Sequence, residues 1–99
     1  MSDDIITLSY MYEAAYPVPF VFERTPPRYR LHNVSDETLD GVALAVHGAG
    51  VLAANVPARL EPGEALDVRI AGPHLHRDTI LVVRWFRFDG VEYLWRVSF

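Results

Sequence analysis

Residues 80–99 read ILVVRWFRFDGVEYLWRVSF, two apolar-rich runs on either side of Asp89-Gly90. Asp-Gly between alternating runs is a strong hairpin signal, because a two-residue type I′ turn needs positive φ at both central positions. Pairing outward from a two-residue turn sets Phe88 opposite Val91, Arg87 opposite Glu92, Phe86 opposite Tyr93 and Trp85 opposite Leu94. Arg84 then meets Trp95, Val83 meets Arg96, Val82 meets Val97 and Ile80 meets Phe99. Successive side chains alternate between faces, so these pairs fall into two sets. Phe88/Val91, Phe86/Tyr93, Arg84/Trp95, Val82/Val97 and Ile80/Phe99 make the expected core face, with Arg84 lying along the Trp95 ring. The second face carries an Arg87–Glu92 ion pair, Trp85 with Leu94, Val83 with Arg96, and Leu81 with Ser98. A one-residue slip would turn the core set outward, so the register is expected to be strongly specified.

The rest of the chain adds turn after turn. IITLSY at residues 5–10 reads as a first strand, and MYEAAY at 11–16 as its continuation or one helical turn. Pro17 and Pro19 leave VPFVFE only an edge or irregular strand, since proline cannot donate to a ladder. Thr25-Pro26-Pro27 is a stiff break. RYRLHNV at 28–34 is a strand with Tyr29 and Leu31 on one side, and SDETLDG at 35–41 is a polar turn anchored by Leu39. VALAVH at 42–47 alternates, Val42, Leu44 and Val46 inward and Ala43, Ala45 and His47 outward. Gly48-Ala49-Gly50 is expected to make a hairpin into VLAANV. Pro62-Gly63 fits a type II turn, and Leu66, Val68 and Ile70 alternate with Asp67 and Arg69. GPHLHRD at 72–78 is a loop leading into the closing hairpin. About seven short strands at roughly 8–12-residue spacing predict an all-β, antiparallel sandwich in a single domain spanning residues 1–99.

YRLHNVSDETLDGVALAVHG, LEPGEALDVRI and TILVVRWFRFDGVEYLWRVSF together resemble the bacterial immunoglobulin-like β-sandwich modules. In those modules a strand ending in Asn leads through a polar turn and Gly-Val into the next strand. A Leu-x-Pro-Gly-Glu turn follows, and a Trp-bearing penultimate strand closes the domain. The resemblance spans Tyr29 to Phe99, and its motifs mark turns and core positions. It implies a module that binds or spaces other components and does not catalyse.

Composition removes several chemistries. The chain has no cysteine, which excludes disulfides, thiolate zinc sites and thiol nucleophiles. Its nine basic residues are all arginine, so lysine Schiff bases and the phosphate-loop lysine are excluded too. Thirteen acids against nine arginines give a net charge of −4, with Arg24, Arg28 and Arg30 the one basic cluster, and no nucleic-acid partner is expected. The acidic start, the lack of cystine and the lack of a membrane-length apolar run lead us to expect a cytoplasmic protein with no membrane partner.

Candidate chemistry is sparse. His74-Leu75-His76, with Asp78 behind, would put two imidazoles on one face of an extended chain, the start of a zinc or copper site. A third ligand would have to be His32 or His47 brought in by the fold; the plainer reading is an exposed inter-strand loop. No serine sits in a nucleophile-elbow setting, and SDETLDG lacks calcium-loop spacing. No catalytic residue and no cofactor are therefore expected.

Surface remains. Trp85, Leu94, Val83 and Arg96, rimmed by Arg87 and Glu92, would form an apolar patch on the hairpin's second face. Such a patch buries against a protein partner or a second copy of the chain. The N-terminal aromatics Tyr10, Tyr12, Tyr16, Phe20 and Phe22 are the competing cover. If the last strand is an edge, it could also pair with a second copy. The expected function is a non-catalytic interaction or assembly module that uses this face for a protein partner or for a homodimer, the alternative being a ligand- or metal-binding domain built on His74 and His76. On the first reading, Trp85→Arg would abolish association and leave the fold intact.

Overall fold

Nine strands and one helical turn are seen in the computed structural model, which describes residues 5–7 and 16–99. In chain order they are β1 (Ile5–Thr7), β2 (Phe20–Thr25), β3 (Arg28–Asn33), β4 (Leu39–His47), β5 (Val51–Ala54), β6 (Ala58–Leu60) and β7 (Ala65–Ala71). The turn α1 (Leu75–Asp78) precedes β8 (Ile80–Phe86) and β9 (Glu92–Ser98). One sheet has the order β1-β9-β8-β4-β6, the other β2-β3-β7-β5, and every pairing is antiparallel. The all-β sandwich expected from strand spacing is the observed architecture. Two short elements exceed the expected seven strands: β2, the edge strand that Pro17 and Pro19 permit, and the three-residue β6. Residues 8–15, which carry the rest of the expected first strand, Tyr10 and Tyr12, lie outside the described residues.

The closing hairpin differs from its expected register by one residue. Its pairs are Phe86↔Glu92, Trp85↔Tyr93, Arg84↔Leu94, Val83↔Trp95, Val82↔Arg96, Leu81↔Val97 and Ile80↔Ser98. The connection is three residues long, Phe88-Asp89-Gly90. Gly90 N–H donates to the Arg87 carbonyl at 2.9 Å, and Arg87 N–H donates to the Val91 carbonyl at 3.1 Å. Gly90 sits at φ +80°, the left-handed residue that completes a type I turn plus bulge. The Asp89 carboxylate accepts from the Val91 N–H at 3.0 Å.

This shift leaves the inward set of β9 as expected and exchanges the faces of β8. Leu81, Val83 and Trp85 are each 0% exposed, and Tyr93, Trp95 and Val97 are buried beside them. Ile80, Arg84 and Phe86 face out. Arg84 therefore does not lie along Trp95; it points outward toward Glu92, 3.6 Å away.

Around this core the expected alternations hold. Tyr29 and Leu31 of β3 and Leu66, Val68 and Ile70 of β7 are buried. On β4, Val42 is buried, and Leu44 and Val46 pack against the same cluster. Leu39 and Val42 are both 0% exposed although three residues apart, because the β4 register shifts between Asp40 and Ala43. Gly41, at φ +56°, absorbs the shift, and a Cβ there would stand 2.9 Å from the Phe86 ring. Gly48-Ala49-Gly50 does not make a hairpin. β4 and β5 belong to different sheets, so this turn carries the chain across the sandwich.

Asn33 ties three segments together at 1% exposure. Its side-chain amide donates to the carbonyls of Glu37 (2.8 Å) and Leu60 (3.0 Å), and its Oδ1 accepts from Ser35 N–H (2.9 Å) and Ser35 Oγ (2.7 Å). Its backbone N–H donates to Glu64 O, and its carbonyl accepts from Gly63 N–H. The polar turn after β3 and the Pro62-Gly63 turn are therefore one hydrogen-bonded unit, and Asn33 satisfies the buried ends of both.

Burial of Trp85 makes a direct prediction. Trp85→Ala should lower unfolding free energy by roughly 3–5 kcal/mol in urea titrations. Trp85→Arg should give no cooperative transition at all, where a surface tryptophan would tolerate either change.

Candidate binding surfaces

Trp85 and Val83 are core residues, which corrects the expected interface. Phe20 of β2 stands edge-on to the Trp85 ring with centroids 5.0 Å apart and stacks at 6.2 Å on Trp95. Tyr93 stacks on Trp85 at 5.9 Å. Tyr16 tilts against Tyr93 at 4.8 Å. For Trp85, the cover is intramolecular and comes from the aromatic segment leading into β2.

Arg87 is two residues beyond Trp85 on the same side, so it leaves the strand at the rim of the core. The expected Arg87–Glu92 pair is not formed. Arg87 Nε instead donates to Glu37 Oε1 at 2.9 Å and Nη2 donates to Glu37 Oε2, a two-pronged pair that is mostly shielded from solvent. The guanidinium also lies 3.9 Å from the centre of the Tyr16 ring. Glu37 raises the Arg87 pKa further above its already high value, so the cation is permanent. This cluster closes one end of the sandwich. Glu37 was legible only as one of three acids in a polar turn, because its partner lies fifty residues away in sequence.

Four buried polar atoms, the Tyr16 and Thr79 hydroxyls and the two indole N–H groups, have no hydrogen-bond partner among the described residues. Burial pushes the Tyr16 phenol above its ordinary value of 10.0. The nearby Trp85 indole and Arg87 favour the phenolate but do not outweigh burial.

The outward face of β4, β8 and β9 holds what the hairpin leaves on the surface. Ile80 (39% exposed), Val82 and Phe86 (38%) come from β8, Leu94 from β9, and Ala43 and Ala45 from β4. Of the residues expected on this patch, Leu94, Arg96 and Glu92 are here, joined by Ile80, Val82 and Phe86, which were expected inside. β9 is not an edge, since β1 pairs with it through Ile5↔Trp95, Ile6↔Leu94 and Thr7↔Tyr93. The expected edge on the last strand is therefore taken up at Tyr93–Trp95 by the chain's own β1.

His74 and His76 do not lie on an extended chain. His74 takes φ +56° immediately before α1, and His76 lies within that turn, the two rings 6.3 Å apart. His32 is held on the other sheet by Glu23, Nε2 to Oε1 at 2.8 Å, and His47 ends β4. Among the described residues no group of three histidine or carboxylate ligands gathers in metal-binding range. No helix among them is long and apolar enough to cross a membrane.

The Tyr16 shift sets a pH dependence. Its folded pKa is above 10.0, so the unfolded chain loses the phenolic proton first. The stabilisation is fully present below about pH 10 and is lost as pH rises through the folded value. Urea titrations between pH 8 and 11 should show a steeper alkaline loss of stability for wild type than for Tyr16→Phe (about 10 being the reference phenol value).

Comparison of the chain with protein-family models, with curated proteins and with solved structures gives no significant match.

Proposed function

We propose that this immunoglobulin-like domain is a non-catalytic assembly module of a reducing compartment, and that it associates with a second copy of itself through the outward face of β4, β8 and β9. The supporting observation is the order of residues along β9. Glu92, Leu94 and Arg96 alternate outward, an acid and a base flanking an apolar centre.

Two such faces packed about a twofold axis that lies between them and runs across the strands would set Leu94 against Leu94. Each Glu92 would then meet the partner copy's arginine at position 96, the self-complementarity an isologous contact requires. On β8 the same axis passes Arg84, which lies opposite Leu94, so Val82 would bury against Phe86 of the other copy while each Arg84, at the axis, stays paired with Glu92 of its own chain, 3.6 Å away. The apolar centre supplies affinity, and the charges supply register and exclude parallel alignment of the two strands.

Light scattering over a hundredfold range of concentration tests this. The mass should approach twice the 11.2 kDa of one chain at the upper end. Leu94→Arg should return the mass to that of one chain and, at the lowest concentration, where wild type is also a single chain, leave the thermal midpoint unchanged. Glu92→Arg and Arg96→Glu should each weaken association, and the double exchange should restore it. A single-chain mass at every concentration would overturn the proposal.

A further inference from the structure

The opposite sheet carries a second feature, unrelated to the face just described. The outward side of β2, β3, β7 and β5 is hollowed into a groove of about 1070 Å³. Its cross-strand rows follow from the pairing. One is Glu23–Arg30–Asp67, and the next is Thr25–Arg28–Arg69–Ala53.

Ile70 N–H donates to the Pro27 carbonyl at 3.0 Å, which makes 27/70 a hydrogen-bonded pair. The adjacent pair 28/69, and by alternation 30/67, is then of the non-hydrogen-bonded kind, in which opposed side chains stand closest. Position 30/67 uses this closeness for an ion pair, Arg30 Nε to Asp67 Oδ1 at 3.0 Å. Position 28/69 uses it for two arginines.

Like charges directly opposite in a sheet are destabilising, and among the described residues nothing neutralises this pair. Asp67 is committed to Arg30, Glu23 is committed to His32 at 2.8 Å, and no carboxylate among the described residues bonds to Arg28 or Arg69. Both guanidinium groups are exposed and line the groove with Thr25 and Asn55. Asn55 and the small side chain of Ala53 leave room beside the two cations for an organic group.

We infer that the Arg28/Arg69 pair is a binding site for a dianionic oxyanion, a phosphate group carried on a small organic molecule. Two arginines at one cross-strand position, each a planar donor fork, match a tetrahedral anion that offers several acceptor oxygens and two negative charges. A carboxylate would neutralise only one of the cations, as Asp67 already does for Arg30.

The probe is inorganic phosphate, followed by the Arg Nε–H and backbone amide signals of 15N-labelled protein at constant ionic strength. Phosphate should produce saturable shifts confined to Arg28, Arg69 and their neighbours, with a dissociation constant of about 1–10 mM. Sulfate should reproduce them, and acetate should bind at least about tenfold more weakly. Arg28→Gln/Arg69→Gln should abolish them. Thermal midpoints give a second reading. Phosphate should raise the wild-type midpoint above that in chloride of equal ionic strength, and Arg69→Gln should lose this gain while being no less stable than wild type in chloride. Shifts that fail to saturate below about 50 mM, that persist in the double variant, or that acetate reproduces equally would overturn the site. None of these readouts depends on self-association, because the groove lies on the other sheet.

Discussion

Phe88, Asp89 and Gly90 set the parity of the closing hairpin, and with it the assignment of every side chain in the central pair of strands. An odd number of loop residues puts Trp85 opposite Tyr93 with both rings between the sheets. An even number would have placed Trp85 opposite Leu94 on the outside. Because side chains alternate strictly, no intermediate arrangement exists. The aromatic stack of Phe20, Trp85, Tyr93 and Trp95, the guanidinium cap of Arg87 on Glu37, and the apolar outer face all follow from that one loop length.

Asn33 performs the complementary task at the other end of the chain's logic. Turns are where a sandwich exposes backbone groups, and a buried turn must find partners for them. Asn33 supplies donors and acceptors to two turns separated by about a quarter of the chain, holding Leu39 and Leu60 at the same layer of the core. The strand-ending Asn, the polar turn and the Leu-x-Pro-Gly-Glu segment of this sequence form one hydrogen-bonded object.

Much of the fold could be read directly. The alternations of β3, β4, β7 and β9 each named their buried side correctly, the two prolines before β2 marked it as an edge, and Pro62-Gly63 marked its turn. These signals are local, carried by residues within one strand or one turn. The register of β8 has a sequence signal of its own. Leu81, Val83 and Trp85 form an uncharged set, whereas Ile80, Val82, Arg84 and Phe86 include an arginine. Burying the uncharged set together with Tyr93, Trp95 and Val97 requires a loop of odd length. Asp-Gly is compatible with that, since Gly90 can be the left-handed residue of a bulged three-residue loop as well as of a type I′ turn. The surface was less legible, because it depends on pairings between distant segments. Glu37 reaching Arg87, Arg28 facing Arg69, and Gly48 carrying the chain between sheets appear only once strand order is known. The pattern of apolar residues places a strand in a sheet but does not choose its neighbour.

The parity of the hairpin can be measured without reference to any partner. In a Trp95→Phe variant, Trp85 is the single indole of the chain, and acrylamide quenching reports its access to solvent. The structure predicts blue-shifted emission and a quenching rate far below that of a free indole, rising to the free value only on unfolding in urea. Water-like emission and efficient quenching from a folded protein would put Trp85 on the surface. That result would contradict the three-residue loop and the arrangement of the core built on it.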